Sequence, residues 1–320
     1  MKNNFLVASA LLIAALAHGA VAQTYPIKPV RLISPFAPGG GTDLLGRSIG
    51  LRVSEAIGQP VVVDNRPGAG GAIGADMVAR AEPDGYTLIV VSSSYAATSA
   101  YQRLSYDPVN GVEPIVLIGT TGLVMVVPPK VPVKSLAEFI AYARARPGKL
   151  NYASVGLGSI THLGTELFKL QARVDLVHVP YKGGAPATQA AVAGEVDVTL
   201  NGMIPALPHI RSGRLRALGI TLPKRSSLLP DVPTIGEIVP GYEVVHWYAM
   251  WGPKGMPGNI VALWNREVAK VLQDDAMRRR MMTDGLEPAG GPPQEFGDRL
   301  RRDVEKWRRV VKDAPIPRPN

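Results

Sequence analysis

The chain has 320 residues, 46% of them hydrophobic, with 34 glycines, no cysteine and a formal net charge of +9. The missing cysteine excludes disulfides, thiolate metal sites, cysteine nucleophiles and an N-terminal lipid on cysteine. The positive balance favours acidic ligands or an anionic surface, but no basic stretch is interleaved with aromatics as a single-strand nucleic-acid surface requires.

The chain opens with Lys2, an apolar stretch Phe5–Ala17 and the small-residue site Ala20-Val21-Ala22. This reads as a signal peptide cut after Ala22, and the apolar core is shorter than the roughly 20 residues of a membrane span. The expected product is exported, in a form that is not a lipoprotein. The rest, roughly 300 residues, is long enough for two domains of about 100–200 residues each.

Val30–Ser34 reads as a strand. Thr42 or Asp43 then caps a helix to about Ile57, ended by Gly58. Val61–Val63 is a second strand, and a glycine-rich loop 64–71 leads to a helix at 72–81. Tyr86–Val91 is a third strand ending in Ser92-Ser93-Ser94. Val112–Ile118 and Gly122–Val127 read as two further strands, and Ser135 with Glu138 forms a capping box that opens a helix to about Arg146. The alternation then restarts: strand 150–154, helix 159–171, strand 175–180, helix 185–193, strand 196–200, helix 205–212, strand 215–221. After a proline-marked segment, Thr234 and Glu237 form another capping box. Val244–Trp251 is a strand, followed by helices at about 259–282 and 293–312. The basic residues Arg278–Arg280 and those within 299–309 have acids among or beside them, as on a solvated helix face.

Strands alternating with helices predict an α/β fold with largely parallel sheets. The C-terminal part has too few strands for a lobe of its own, so it is expected to return to the first one. Lobe 1 is then 23–119 plus 225–320, lobe 2 is 120–224, and two crossings make the hinge.

Ligands in such folds sit beyond the carboxyl ends of the strands. The run Phe36-Ala37-Pro38-Gly39-Gly40-Gly41-Thr42-Asp43 lies there, as do Asn65–Gly71, Ser92-Ser93-Ser94, Ser154-Val155-Gly156-Leu157-Gly158-Ser159-Ile160-Thr161, Tyr181–Gly184 and Asn201-Gly202. A glycine-rich strand-to-helix turn aims backbone N–H groups from the positive end of a helix, which suits an anion. Two such turns in one chain imply a cleft with two jaws. The spacing is not that of a nucleotide fingerprint. Asp43 and Ser159 read equally well as helix caps. His162 fits either an anion donor or a packed histidine, and Lys182 either a cleft cation or a solvated one. Tyr95, Tyr101, Trp247 and Trp251 line the cleft or the core. His178 lies in a buried strand, and His209 and His246 stand alone. No histidine pair has metal-ligand spacing, and no G-x-S-x-G elbow is present, so neither metal, cofactor nor catalytic group is expected.

Several of these runs resemble one family. They are Tyr25-Pro26-x-Lys28-Pro29-Val30-Arg31, the Phe36–Asp43 turn, Val63-Asp64-Asn65-Arg66-Pro67-Gly68-Ala69-Gly70-Gly71 and Pro83-Asp84-Gly85-Tyr86-Thr87-Leu88. In the second half, Asn151-Tyr152-Ala153-Ser154, Val179-Pro180-Tyr181-Lys182-Gly183 and Asp231-Val232-Pro233-Thr234 agree. The pattern is similar to the Bug (TctC-like) family, the periplasmic solute-binding receptors of tripartite tricarboxylate transporters. The resemblance implies a two-lobed periplasmic-binding-protein fold of the Venus-flytrap, type II-like kind with a two-strand hinge. It implies that Phe36–Asp43 and Ser154–Thr161, with His162 close by, hold a ligand carboxylate, partly through ordered water. Many members carry an acid where this chain has Ala190 and another where it has Asn201. The expected function is capture of a small organic acid and its delivery to membrane permease subunits, by a monomer with no nucleic-acid partner. The same fold used as a sensor without a permease is one alternative, and an exported α/β hydrolase is another.

Overall fold

The computed structural model describes residues 25–313 and residue 316, so the expected leader and its cleavage site lie outside the described residues. Among the described residues no helix is long and apolar enough to cross a membrane.

β1 (Val30–Ser34), α1 (Gly41–Ile57), β2 (Val61–Asn65), a 3-10 turn at Ala69–Gly71, α2 (Ala72–Ala79) and β3 (Thr87–Ser92) form the first unit. β1 pairs in parallel with both neighbours, Leu32 standing opposite Val63 on one side and Leu88 on the other. α1 buries Leu45, Ile49 and Val53, a spacing of four that keeps one face toward the sheet. Its start differs from the expected cap. Gly40 is the cap and the helix begins at Gly41. Asp43 lies inside the first turn, where its carboxylate accepts the Gly39 N–H at 2.9 Å.

Residues Ser94–Tyr101 form α3 directly after β3. Serine, threonine and alanine give this segment no apolar stripe, so its helix is not visible as a pattern. Burial of nearly all of it, from Ser94 to Thr98 and at Tyr101, supplies the stability that propensity does not.

β4 (Val112–Val127) is a single 16-residue strand where two were expected. The ladder runs unbroken through Gly119–Gly122, opposite β9 (Val245–Pro253). The glycines there serve close packing: a Cβ on Gly119 would lie 2.6 Å from the Glu287 carbonyl oxygen, and one on Gly122 2.8 Å from Leu222. Residues 112–122 of β4 pair with β9, and residues 123–127 pair with strands of the second lobe. One strand thus serves both lobes.

The second lobe alternates α4 (Leu136–Arg144), β5 (Leu150–Ser154), α5 (Ile160–Ala172), β6 (Leu176–Pro180), α6 (Gly184–Ala193), β7 (Val198–Gly202), α7 (Met203–Arg211) and β8 (Arg216–Ile220). β5 runs parallel to β6 and β7, while β4 meets β7 and β8 antiparallel. The chain returns through α8 (Ile235–Ile238), whose Thr234–Glu237 capping box is formed on both sides. β9 then inserts between β3 and β4, giving the order β2-β1-β3-β9-β4-β7-β5-β6.

The expected helix at 259–282 is two helices, α9 (Gly258–Gln273) and α10 (Asp275–Thr283). Asp274 separates them and caps the second by accepting the Met277 N–H at 2.9 Å. β10 (Glu287–Gly290) then pairs with β4; with no β-branched residue, it owes its strand form to that partner. α11 (Pro293–Asp313) buries Phe296, Leu300, Val304, Trp307 and Val311 along one stripe. Each such side chain contributes about 1.5–3 kcal/mol of burial. Trp247 and Trp251 are fully buried in the same core cluster, with Tyr95 and Tyr101, so the four aromatics are core residues.

Candidate functional site

β1, β3, β5 and β7 all end at one small cavity of about 30 Å³ between the lobes. α1, α3, α5, α6 and α7 begin at its wall. The first-turn N–H groups of a helix have no intrahelical partner, and they carry its positive end. Five helix starts therefore face one small space. The wall carries no lysine, arginine, aspartate or glutamate. Its charge preference comes from backbone dipoles alone.

The first jaw is held rigidly. Ser34 and Thr42 hydroxyls bond at 2.9 Å, Asn65 Nδ2 donates to the Phe36 carbonyl at 2.9 Å, and Arg47 reaches Asp43 at 3.0 Å. Burial opposes ionisation of Asp43, but hydrogen bonds from Arg47, Gly39 and Asn65 outweigh it and hold the carboxyl below its usual range. The second jaw is similarly tied. Ser159 caps α5 by accepting the His162 N–H at 3.3 Å, Thr161 Oγ1 accepts the Val155 N–H at 2.9 Å, and Ser154 bonds His178 Nε2 at 2.6 Å.

The lobes touch on both sides of the cavity. Ala37 N–H donates to the Lys182 carbonyl at 2.9 Å, and Ile160 N–H donates to Ser94 Oγ at 3.3 Å. Gly70 (φ 63°) and Gly156 (φ 128°) face each other so closely that a Cβ on Gly156 would lie 3.0 Å from the Gly70 nitrogen. The arrangement is a closed one.

Of the residues expected at the site, Phe36, Gly40, Gly41, Thr42, Ser92, Thr161 and Asn201 line the cavity. Ala37, Pro38, Gly39 and Asp43 lie off its wall and shape the first turn. Ser154, Gly156, Gly158, Ser159 and His162 likewise build the second turn from behind. Gly158 (φ 75°) is where a Cβ would lie 2.6 Å from the Tyr101 ring. His162 accepts the Gly158 N–H at 3.1 Å and stacks on His178 with ring centres 4.2 Å apart. Burial, then the nearby Lys169, pulls its pKa down to about 4, so it is a neutral packed histidine. Tyr181 is turned away toward Glu195, at 3.4 Å. Lys182 is exposed and meets the opposite lobe only through its carbonyl.

Asn201 is on the wall, but its amide is fully engaged. Nδ2 donates to the Gly184 carbonyl and Thr188 Oγ1, each at 2.8 Å, and Oδ1 accepts the Gly202 N–H at 2.8 Å. It fixes the starts of α6 and α7. Ala190 lies away from the cavity, buried among Ala153, Ala187 and Val196, so an acid at that position would not meet a ligand by direct extension of this wall.

Leu123, Pro205, His246 and Tyr248 are lining residues that sequence reasoning missed. His246 does not stand alone: its Nδ1 bonds Ser93 Oγ at 2.6 Å, and its ring meets Tyr248 edge-on at 4.8 Å. Ser93 therefore acts one layer behind the wall. The available signal was His-x-Tyr, two polar groups on one face of an otherwise apolar strand. Among the described residues no group of three or more histidine, aspartate or glutamate side chains is placed to hold a metal ion.

Comparison with known proteins places these features. Residues 45–316 match the model of the tripartite tricarboxylate transporter family receptor. Protein BugT of Bordetella pertussis is 38% identical over 297 residues, covering 92% of this chain and 91% of that protein. A solved Rhodopseudomonas palustris structure with adipate has a TM-score of 0.87 and 38% identity, over 91% of this chain and 100% of that one. MatC from Rhodopseudomonas palustris with bound malate has a TM-score of 0.87 and 33% identity, over 90% and 100%.

Proposed function

The chain belongs to the tripartite tricarboxylate transporter receptor family, and from that premise we propose that it captures a small carboxylate in the periplasm and hands it to a membrane permease. It is a solute-binding receptor by family. The finer reading rests on one observation: five helix starts converge on a cavity whose wall has no charged side chain. Such a wall attracts an anion, and it offers no carboxylate to an ammonium. The bound adipate and malate of the two similar structures are acids of this kind.

The hinge of this reading is β4 together with the return segment. Thr221 N–H donates to the Leu123 carbonyl at 3.0 Å and Val244 N–H to the Thr221 carbonyl at 3.2 Å, which ties the second crossing to the first. The lobes of this reading are 23–119 with 225–320, and 120–224. The jaws are the turns Phe36–Thr42 and Ser154–Thr161. Closure buries the acid, and the closed form is the one presented to the permease. The receptor acts as a monomer, released from its signal peptide.

A thermal-shift panel of mono-, di- and tricarboxylates tests this. An acid present at about 100 times its dissociation constant adds ~2.7 kcal/mol of stability. A rise in melting temperature with at least one acid is expected. No shift with any of them, on protein freed of co-purified ligand, contradicts the reading.

A further inference from the structure

The loops account for only part of the cavity wall. The rest includes Leu123 of β4, Asn201 of β7, Pro205 of α7 and two residues of β9, which pairs with β3 and with residues 112–122 of β4. Two of its side chains, His246 and Tyr248, alternate onto the face that meets the cavity. Both are more than nine-tenths buried, at 5% and 3% exposure. Neither His246 Nε2 nor Tyr248 Oη makes a hydrogen bond to any described residue, although both rings lie on the cavity. Neither atom is sealed within protein; both open onto the cavity, so a polar occupant of that space meets two donors free of protein partners.

Their positions are specific. Tyr248 Oη lies over the first turn of α1, where a Cβ on Gly41 would overlap it. Both side chains also reach the start of α7, where a Cβ on Gly202 would lie 3.3 Å from Tyr248 Oη and 3.9 Å from His246 Nε2. In the tautomer in which Ser93 Oγ donates to His246 Nδ1, the imidazole proton is on Nε2 and faces the cavity. The phenol is likewise a donor, because burial keeps it protonated.

We propose that Tyr248 and His246 of β9 form a third wall of the binding site, each donating one hydrogen bond to the ligand. Tyr248 joins the α1 start on the first carboxylate. His246 joins the α7 start on a second acceptor and so selects dicarboxylates over monocarboxylates of equal length. The inference rests on the reading that the cleft holds a carboxylate. Because β9 and α1 belong to the same lobe, the contact beside the α1 start is in place before the jaws close, and the one beside α7 forms on closure.

The test is calorimetry with length-matched pairs, succinate against butyrate and adipate against hexanoate, on the whole protein and on Tyr248→Phe and His246→Leu. Tyr248→Phe removes only an oxygen without a protein partner, so its melting temperature without ligand stays unchanged. The wild type is expected to prefer the dicarboxylate of a pair. Tyr248→Phe weakens that acid about ten- to a hundredfold, the range for a hydrogen bond to a charged acceptor. His246→Leu narrows the gap between pair members. If His246→Leu does not fold, Ser93→Ala replaces it: losing the donor to Nδ1 frees the tautomer, and the gap narrows likewise. Unchanged affinity in folded Tyr248→Phe, or an unchanged gap with the His246 or Ser93 variant, overturns the proposal while leaving the carboxylate reading intact. A wild type that binds neither these acids nor any acid of the thermal-shift panel overturns both.

Discussion

Three histidines on or behind the cavity wall are held neutral, and they set a pH dependence. Burial is the leading cause for each, pulling His162 to about 4 and His178 and His246 to about 3 from an ordinary 6.5. Between pH 6.5 and about 4 the unfolded chain takes up protons that the folded chain refuses. Stability therefore falls as pH drops through that window, by up to about 1.4 kcal/mol per pH unit for each histidine. Above pH 6.5 they contribute no slope. Denaturant midpoints at pH 7.5, 6.5 and 5.0 check this: little change over the first interval and a clear loss over the second are expected, and a flat profile down to pH 5.0 contradicts it. The residues themselves were unevenly legible. Gly39–Thr42 and Ser159 announce helix starts by residue type. His246 and Tyr248 do not announce a site, because they interrupt an apolar strand only by alternation, and their bareness toward the cavity is a tertiary fact.

At the scale of elements, α11 shows how the chain's end is built into the first lobe. Its apolar stripe packs on α3 and β4, Phe296 meets the Trp247 ring of β9 edge-on, and Trp247 Nε1 donates to Asp303 on its polar shoulder at 2.5 Å. Asp303→Ala leaves a buried indole N–H unpaired and is expected to cost about 1–3 kcal/mol. Because the indole lies away from the cavity, carboxylate affinity stays unchanged. A melting temperature equal to the wild type's contradicts this, and so does a loss of affinity in the folded variant. The elements that periodicity reveals, such as α1 and α11, were legible because one face is apolar. α3 and β10 were not, since each takes its form from a neighbour rather than from its own composition. β4 was split in expectation because glycine within a strand reads as a break. Here the glycines admit the Glu287 carbonyl and Leu222 side chain at close range.

For the whole molecule, two α/β lobes share a strand, and five helices point their starts at the space between them. The two-jaw plan was readable from the paired glycine-rich turns, whereas the size and neutrality of the cavity were not. Those depend on which residues the turns leave exposed to each other. The absence of charge on the wall carries the account's main claim, that the ligand is an acid without an ammonium group. Affinity then comes from donors already aimed, with little ordering left to do on binding. Calorimetry with succinate and aspartate, two four-carbon dicarboxylates that differ by one amino group, tests this most directly. Succinate is expected to bind at least about tenfold more tightly, since burying an unpaired ammonium costs well over 1 kcal/mol. Aspartate binding as tightly as succinate, or more tightly, would contradict it.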